Sequence, residues 1–156
     1  MTEVKICGLC DGAAATAAAE AGADLVGFHF CSSLRRVTPE EARSIVDGLD
    51  RRPRVVGVFI DQPEAEVAQV AEFVGLDWVQ LHGSEPPGFR APRPVVKALK
   101  VRDGVLPDVS AWPDPVLLDS WSADHCEIGQ ITSAARNSRG SEGAARRLRQ
   151  VSYHHA

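Results

Sequence analysis

Short runs of β-branched and aliphatic residues alternate along this chain with longer stretches whose apolar positions recur every three or four residues. "VKICGL" (Val4–Leu9) is nearly all apolar and predicts a buried strand. The "DGAAATAAAEAGA" behind it (Asp11–Ala23) predicts an alanine-rich helix, with Asp11 as its N-cap and Gly22 near its end. "LVGFHF" (Leu25–Phe30) predicts a second strand. In "TPEEARSIVDGL" Thr38 is placed as an N-cap, Pro39 at the first helical position and Glu41 at the third, the start of a capping box. Ala42, Ile45, Val46 and Leu49 keep the helical spacing behind it.

The alternation continues. "RVVGVFI" (Arg54–Ile60) predicts a strand and "QPEAEVAQVAEFV" (Gln62–Val74) a helix with Val67, Val70, Ala71 and Val74 on one face. "WVQL" (Trp78–Leu81), "VVKAL" (Val95–Leu99) and "PVLLDS" (Pro115–Ser120) predict three further strands, the first two joined through a proline-rich connection with little helical signal. Strands separated by single crossover elements argue for a parallel α/β sheet, and strands apolar on both faces argue that the sheet is covered on both. Polar residues close several strands: Cys7, Ser32, Asp61, His82 and Asp119. Function sits at the carboxyl ends of the strands in a (β/α)8 barrel, and no glycine-rich nucleotide fingerprint follows any strand. The pattern suits an incomplete TIM-barrel type, with about six βα units, better than a doubly wound sheet, although periodicity alone does not separate the two.

After Ser120 the rhythm stops. The last segment is rich in Ser, Ala, Arg and Gly, and Ile128, Ile131, Leu148 and Val151 are its aliphatic anchors. The expectation is a partial barrel over residues 1–119 and a weakly structured tail over 120–156, which supplies no further core strands and at most a short basic helix in "EGAARRLRQV". Charge changes at the same place. The tail carries five arginines against Asp124, Glu127 and Glu142, a net +2 within an overall −4, so the first 119 residues carry −6.

Such an acidic balance excludes the electrostatics of a nucleic-acid binder. No apolar run reaches membrane-spanning length and no secretory signal pattern opens the chain, so no membrane is expected and a cytoplasmic setting is. Cys7, Cys10, Cys31 and Cys126 are too scattered for a disulfide framework. Cys7 and Cys10 do form a C-x-x-C pair. A zinc site needs further ligands at usable spacing and a redox pair needs a thioredoxin-like context; neither is present, so no metal is expected. Taken singly, Cys7 reads as a small core residue, Asp119 as a cap or turn residue, Arg36 as a solvated neighbour of Arg35, and His29 and His82 as structural histidines.

The strings together are more specific. "KICGL" (Lys5–Leu9), "EAGADLVGFHF" (Glu20–Phe30), "SSLRRVTPEEA" (Ser32–Ala42), "VGVFIDQ" (Val56–Gln62), "GLDWVQLHGSE" (Gly75–Glu85), "VVKAL" and "VLLDS" (Val116–Ser120) occur in one order. In that order they resemble the phosphoribosylanthranilate isomerase family of tryptophan biosynthesis. The resemblance implies a (β/α)8 barrel that carries out an Amadori rearrangement of N-(5-phosphoribosyl)anthranilate, a phosphorylated small molecule, without a cofactor. It implies Cys7 as base, Asp119 as acid and Arg36 as the partner of the substrate carboxylate, a planar group that suits a guanidinium fork. His82 and Gln80, at the end of the fourth strand, are candidates to line the pocket. Cys10 stands where that family usually has threonine, and His29 where it has an apolar strand residue.

A thiol of ordinary pKa about 8.5 supplies a few per cent of thiolate at neutral pH. An aspartate of ordinary pKa about 3.9 acts as an acid only when burial or a neighbouring negative charge holds its proton. The family continues past the sixth strand with a "GGTG"-like loop and two more strand–helix units whose loops grip the substrate phosphate, and these are not recognisable after Ser120. The tail therefore reads as non-homologous, as from a truncated or out-of-frame reading. Two functions follow from different classes: an isomerase impaired in phosphate binding, or a catalytically silent remnant that forms a homo-oligomer or binds a partner through exposed sheet edges.

Overall fold

The computed structural model describes residues 2–102, 105, 107–112, 115–120, 131–135 and 147–152. Six strands run parallel: β1 (Thr2–Cys7), β2 (Leu25–His29), β3 (Arg54–Phe59), β4 (Trp78–Leu81), β5 (Val95–Val101) and β6 (Val116–Ser120). Three helices cross between the first four, namely α1 (Gly12–Glu20), α2 (Pro39–Asp47) and α3 (Glu64–Val74). The caps are those the sequence predicts. Asp11 accepts from the Ala14 amide at 2.8 Å, and Thr38 and Glu41 exchange both bonds of a capping box at 3.2 and 2.7 Å. Gly75 ends α3 in the left-handed conformation, at φ +74°.

Beyond α3 the βα repeat thins out. Among the described residues no helix crosses from β4 to β5 or from β5 to β6. Pro86, Pro87, Pro92 and Pro94 explain the first case, because each removes a backbone donor and restricts the residue before it. The fold is an incomplete (β/α)8 barrel in which, among the described residues, three of the crossovers carry helices.

The tail corrects one expectation. Ile131–Ala135 forms β7 and Arg147–Ser152 forms β8, and the sheet order is β7-β6-β5-β4-β3-β2-β1-β8. β8 lies parallel to β1 along its whole length, whereas β7 pairs antiparallel with β6, with an irregularity between Leu118 and Asp119. The basic segment expected to be at most helical is thus extended over Arg147–Ser152. The physical reason is the exposed edge. β1 and β6 would each present a row of unpaired N–H and C=O groups, and ladder bonding to them makes little demand on side chains. β7 and β8, at opposite ends of the order, lie against each other, so the sheet curls round.

Its two faces differ. Outward, Val26, Phe28, Val55, Phe59, Val79 and Leu81 pack with the buried helix residues Ala15, Ala42, Val46, Val67 and Ala71 in one continuous core. The inner face is mixed: Val58 and Cys7 cluster with Cys31, and Val96, Ala98 and Leu117 pack with Trp78. Between these apolar patches lie Lys5, His29, Gln80, His82 and Asp119, all buried.

Candidate active site at the carboxyl ends of the strands

Cys7 is the last residue of β1 and Asp119 the penultimate residue of β6, so both emerge at the carboxyl end of the parallel strands. Both are buried, 1% and 3% exposed. The strand period of two puts Lys5 on the same face as Cys7, and Gln80 on the same face as His82. The side chains then meet across the interior. Lys5 Nζ donates to Gln80 Oε1, and Lys5 also hydrogen-bonds the Cys7 side chain. Gln80 Nε2 lies 3.2 Å from His82 Nδ1, and His82 Nε2 lies 3.0 Å from Asp119 Oδ2. One polar chain therefore runs from the cysteine to the aspartate. Asp119 Oδ1, equally buried, has no hydrogen-bond partner among the described residues.

A second branch reaches Cys7 from β2. His29 Nε2 sits 3.5 Å from Cys7 Sγ, and His29 Nδ1 lies 3.1 Å from Ser33 Oγ, which also accepts from the Arg35 amide at 3.0 Å. Burial, with smaller electrostatic contributions from Lys5, Arg35 and His82, pushes the His29 pKa down to about 3. The ring is neutral at ordinary pH. Burial likewise lowers the Lys5 ammonium, against the contrary pull of Cys7. Gly27 makes the arrangement fit. A Cβ there would stand 2.6 Å from Cys7 Sγ and 3.0 Å from Lys5 Cε.

Loop geometry separates the two arginines. Arg35 is half-buried, with its Nε and Nη1 3.0 Å from the Cβ position of Gly8, whose φ of +83° turns the chain just beyond Cys7. Arg36 is exposed, and its amide donates to Ser33 O at 3.1 Å. Cys7, Asp119, His82 and Gln80 are thus joined in one network, and among the described residues no hydrogen bond or ion pair ties the exposed Arg36 side chain to it. The sequence reading missed Lys5, Arg35 and the His29–Cys7 contact. A period-two reading of "VKIC", with Lys5 and Cys7 on one face, was the signal available for the first.

Behind His82 the β4 loop is held by an ion pair. Lys97 Nζ donates to Glu85 Oε2 and to Gly83 O, each at 2.6 Å, and Glu85 in turn accepts from the Asp61 and Gly83 amides. Asp61 adopts a left-handed φ of +56°, and its carboxylate accepts from the Ser84 amide at 2.6 Å. The expectation that phosphate-gripping loops are missing after Ser120 concerns residues 121–130 and 136–146, which lie outside the described residues.

Residues 4–127 match the family model of N-(5'phosphoribosyl)anthranilate (PRA) isomerase. The chain belongs to this family. N-(5'-phosphoribosyl)anthranilate isomerase of Pelobacter propionicus is 46% identical over 127 residues, covering 78% of this chain and 61% of its own length. That of Rubrobacter xylanophilus is 47% identical over 130 residues, covering 78% and 63%. The chain therefore spans about three fifths of the length of these PRA isomerases. In structure it is similar to phosphoribosyl anthranilate isomerase from Thermus thermophilus, at a TM-score of 0.69 and 38% identity over 76% of this chain and 62% of that one. It is also similar, at a TM-score of 0.65 and 34% identity over 78% and 66%, to a PRA isomerase in complex with reduced 1-(O-carboxyphenylamino)-1-deoxyribulose 5-phosphate. Among the described residues no helix is long and apolar enough to cross a membrane.

Proposed function

We propose that this chain catalyses the Amadori rearrangement of N-(5-phosphoribosyl)anthranilate to 1-(2-carboxyphenylamino)-1-deoxyribulose 5-phosphate. The observation that carries the reading is the unbroken polar chain linking Cys7 to Asp119 at one end of the barrel. Asp119 gives a proton to the furanose oxygen as the C1–O bond breaks, and the anilinic nitrogen lone pair forms the C1=N bond. Cys7, as thiolate, removes the C2 proton, and the electron pair returns to nitrogen as an enaminol. A proton gained at C1 and one lost from the C2 hydroxyl complete the ketone, so no proton is consumed overall. Acid and base act at the ring oxygen and at C2, the two positions bonded to C1, which suits two groups at the same end of one barrel.

Of the two arginines, Arg35 is the better candidate for the substrate carboxylate, because its guanidinium lies beside Gly8 and hence beside the base. The place of action we propose is the cytoplasm, where the free thiols of Cys7, Cys10 and Cys31 stay reduced. β7 and β8 occupy the sheet edges through which a second copy would pair, so strand addition forms no part of this reading.

The test is an isomerisation assay on the purified chain. Activity in the parent that falls by roughly 10²–10⁴-fold in Cys7→Ser and in Asp119→Asn supports the assignment. Arg35→Ala should raise KM far more than Arg36→Ala. A folded parent without activity, or variants as active as the parent, would overturn it.

A further inference from the structure

The direction of each hydrogen bond in the polar chain can be worked out from its chemistry. Lys5 offers N–H groups, so the Gln80 atom facing it is the carbonyl Oε1. That leaves the Gln80 amide nitrogen facing His82 Nδ1, at 3.2 Å. An N–H directed at Nδ1 requires a lone pair there, and a neutral imidazole with its lone pair on Nδ1 carries its proton on Nε2. Nε2–H then donates to Asp119 Oδ2 at 3.0 Å. Each link has one sense only, and an amide in the middle does not pass a proton along. The chain is a clamp on orientation rather than a conduit.

Its far end is the acid. With Oδ2 accepting from His82, a proton on Asp119 has one other atom to occupy, the buried Oδ1, which has no hydrogen-bond partner among the described residues. We infer that Lys5 and Gln80 are positioning residues which, through the His82 tautomer, hold Asp119 so that Oδ1 carries the proton given to the sugar. Gln80 and His82 then serve the acid rather than the substrate, since both His82 nitrogens are committed to protein groups. The inference rests on the reading of Asp119 as the acid, and it reaches four side chains back from the reacting atoms.

The experiment is ¹⁵N NMR of the histidine rings in the full chain, with His82 assigned by its loss in His82→Gln, run beside steady-state kinetics. In the parent at neutral pH His82 should show a protonated Nε2 and an unprotonated Nδ1. Gln80→Glu puts a carboxylate opposite Nδ1, so the ring proton should move to Nδ1 or the ring become doubly protonated. The same substitution should lower kcat by roughly 10²-fold with KM changed little, because the loss falls on the acid and not on binding. His82→Gln, which keeps an N–H for Oδ2, should retain more of kcat than His82→Leu. A parent ring protonated on Nδ1 overturns the inference without recourse to any variant, as does a Gln80→Glu chain with unchanged tautomer and kcat. An inactive parent with the expected tautomer, shifted in Gln80→Glu, would sink the isomerase reading while leaving the clamp in place.

Discussion

Gly27 is the position where one added methyl group most directly tests the geometry of the base. A Cβ built there stands 2.6 Å from Cys7 Sγ, 3.0 Å from Lys5 Cε and 3.4 Å from Cys7 Cα. Non-bonded carbon and sulfur settle at roughly 3.5–4.0 Å, so the sulfur must retreat by about 1 Å. It has little room to do so, because His29 Nε2 already sits 3.5 Å away and Lys5 packs on the same side. Displacement by about 1 Å from a reacting position costs on the order of 10²-fold in rate, or about 2.7 kcal/mol of barrier. Overpacking should also destabilise the fold, by roughly 1–3 kcal/mol. Gly12→Ala is the control: it lies in exposed helix with nothing within 4 Å of its Cβ position. Isomerisation of N-(5-phosphoribosyl)anthranilate, followed through the aminobenzoate chromophore, gives the rates, and urea unfolding gives the stabilities. Gly27→Ala should lose roughly 10²-fold in kcat while staying folded, and Gly12→Ala should keep full activity with unchanged or slightly raised stability. Wild-type kcat in Gly27→Ala would refute the claim that Cys7 Sγ is held where the chemistry needs it.

Three other outcomes are expected. His29 ordinarily titrates near 6.5 but is held down to about 3 in the folded chain, so the unfolded chain takes up the proton first. Stability is therefore fully present above that ordinary value and is lost as pH falls from it toward 3. Denaturant titrations of the parent and His29→Gln across this window should differ in slope by up to about 1.4 kcal/mol per pH unit, and parallel curves would count against a neutral buried ring. Lys97→Met strands the buried Glu85 carboxylate without its cation and should cost roughly 3–5 kcal/mol in a urea melt, whereas the double change with Glu85→Leu should recover much of that loss. Ser33→Ala removes the hydroxyl that orients the His29 ring, and should lower kcat several-fold while leaving the unfolding free energy from urea titration within about 1 kcal/mol of the parent's.

Much of the frame was legible because its signals are local. The Thr38–Glu41 capping box, the Asp11 cap and the strands Arg54–Phe59 and Trp78–Leu81 follow from residues within a few positions of one another. What escaped depends on distance or on loop shape. Lys5 lies within an apolar-looking strand, and its partner Gln80 stands 75 positions away. Arg35 and Arg36 are neighbours of identical chemistry, and the turn through Ser33 alone decides which one lies over Gly8. His29 looked structural because no sequence rule says that its ring faces Cys7 across the β1–β2 ladder. The tail strands were missed for a different reason. Side-chain pattern predicts strands that bury a face, whereas β7 and β8 are recruited by backbone groups on the edges of β6 and β1.

The composition of the barrel interior is itself an argument about function. A barrel selected for stability alone would fill its centre with branched aliphatic side chains, and exchanging buried ionic groups for apolar ones of like volume is often neutral or stabilising. Here the inner face instead buries a lysine, two histidines, a glutamine and an aspartate between modest apolar patches. Each of these groups finds a partner, and each partner lies on the path between Cys7 and Asp119 or on the branch from Ser33. Desolvation is tolerated at every link, and the one buried side-chain oxygen or nitrogen left without a partner among the described residues is Oδ1 of the aspartate. An unsatisfied buried acceptor costs roughly 1–3 kcal/mol, which packing alone gives no reason to retain. Its place at the carboxyl end of β6, clamped through Oδ2 and with Oδ1 uncommitted among the described residues, suits an acid that gives its proton to a sugar oxygen.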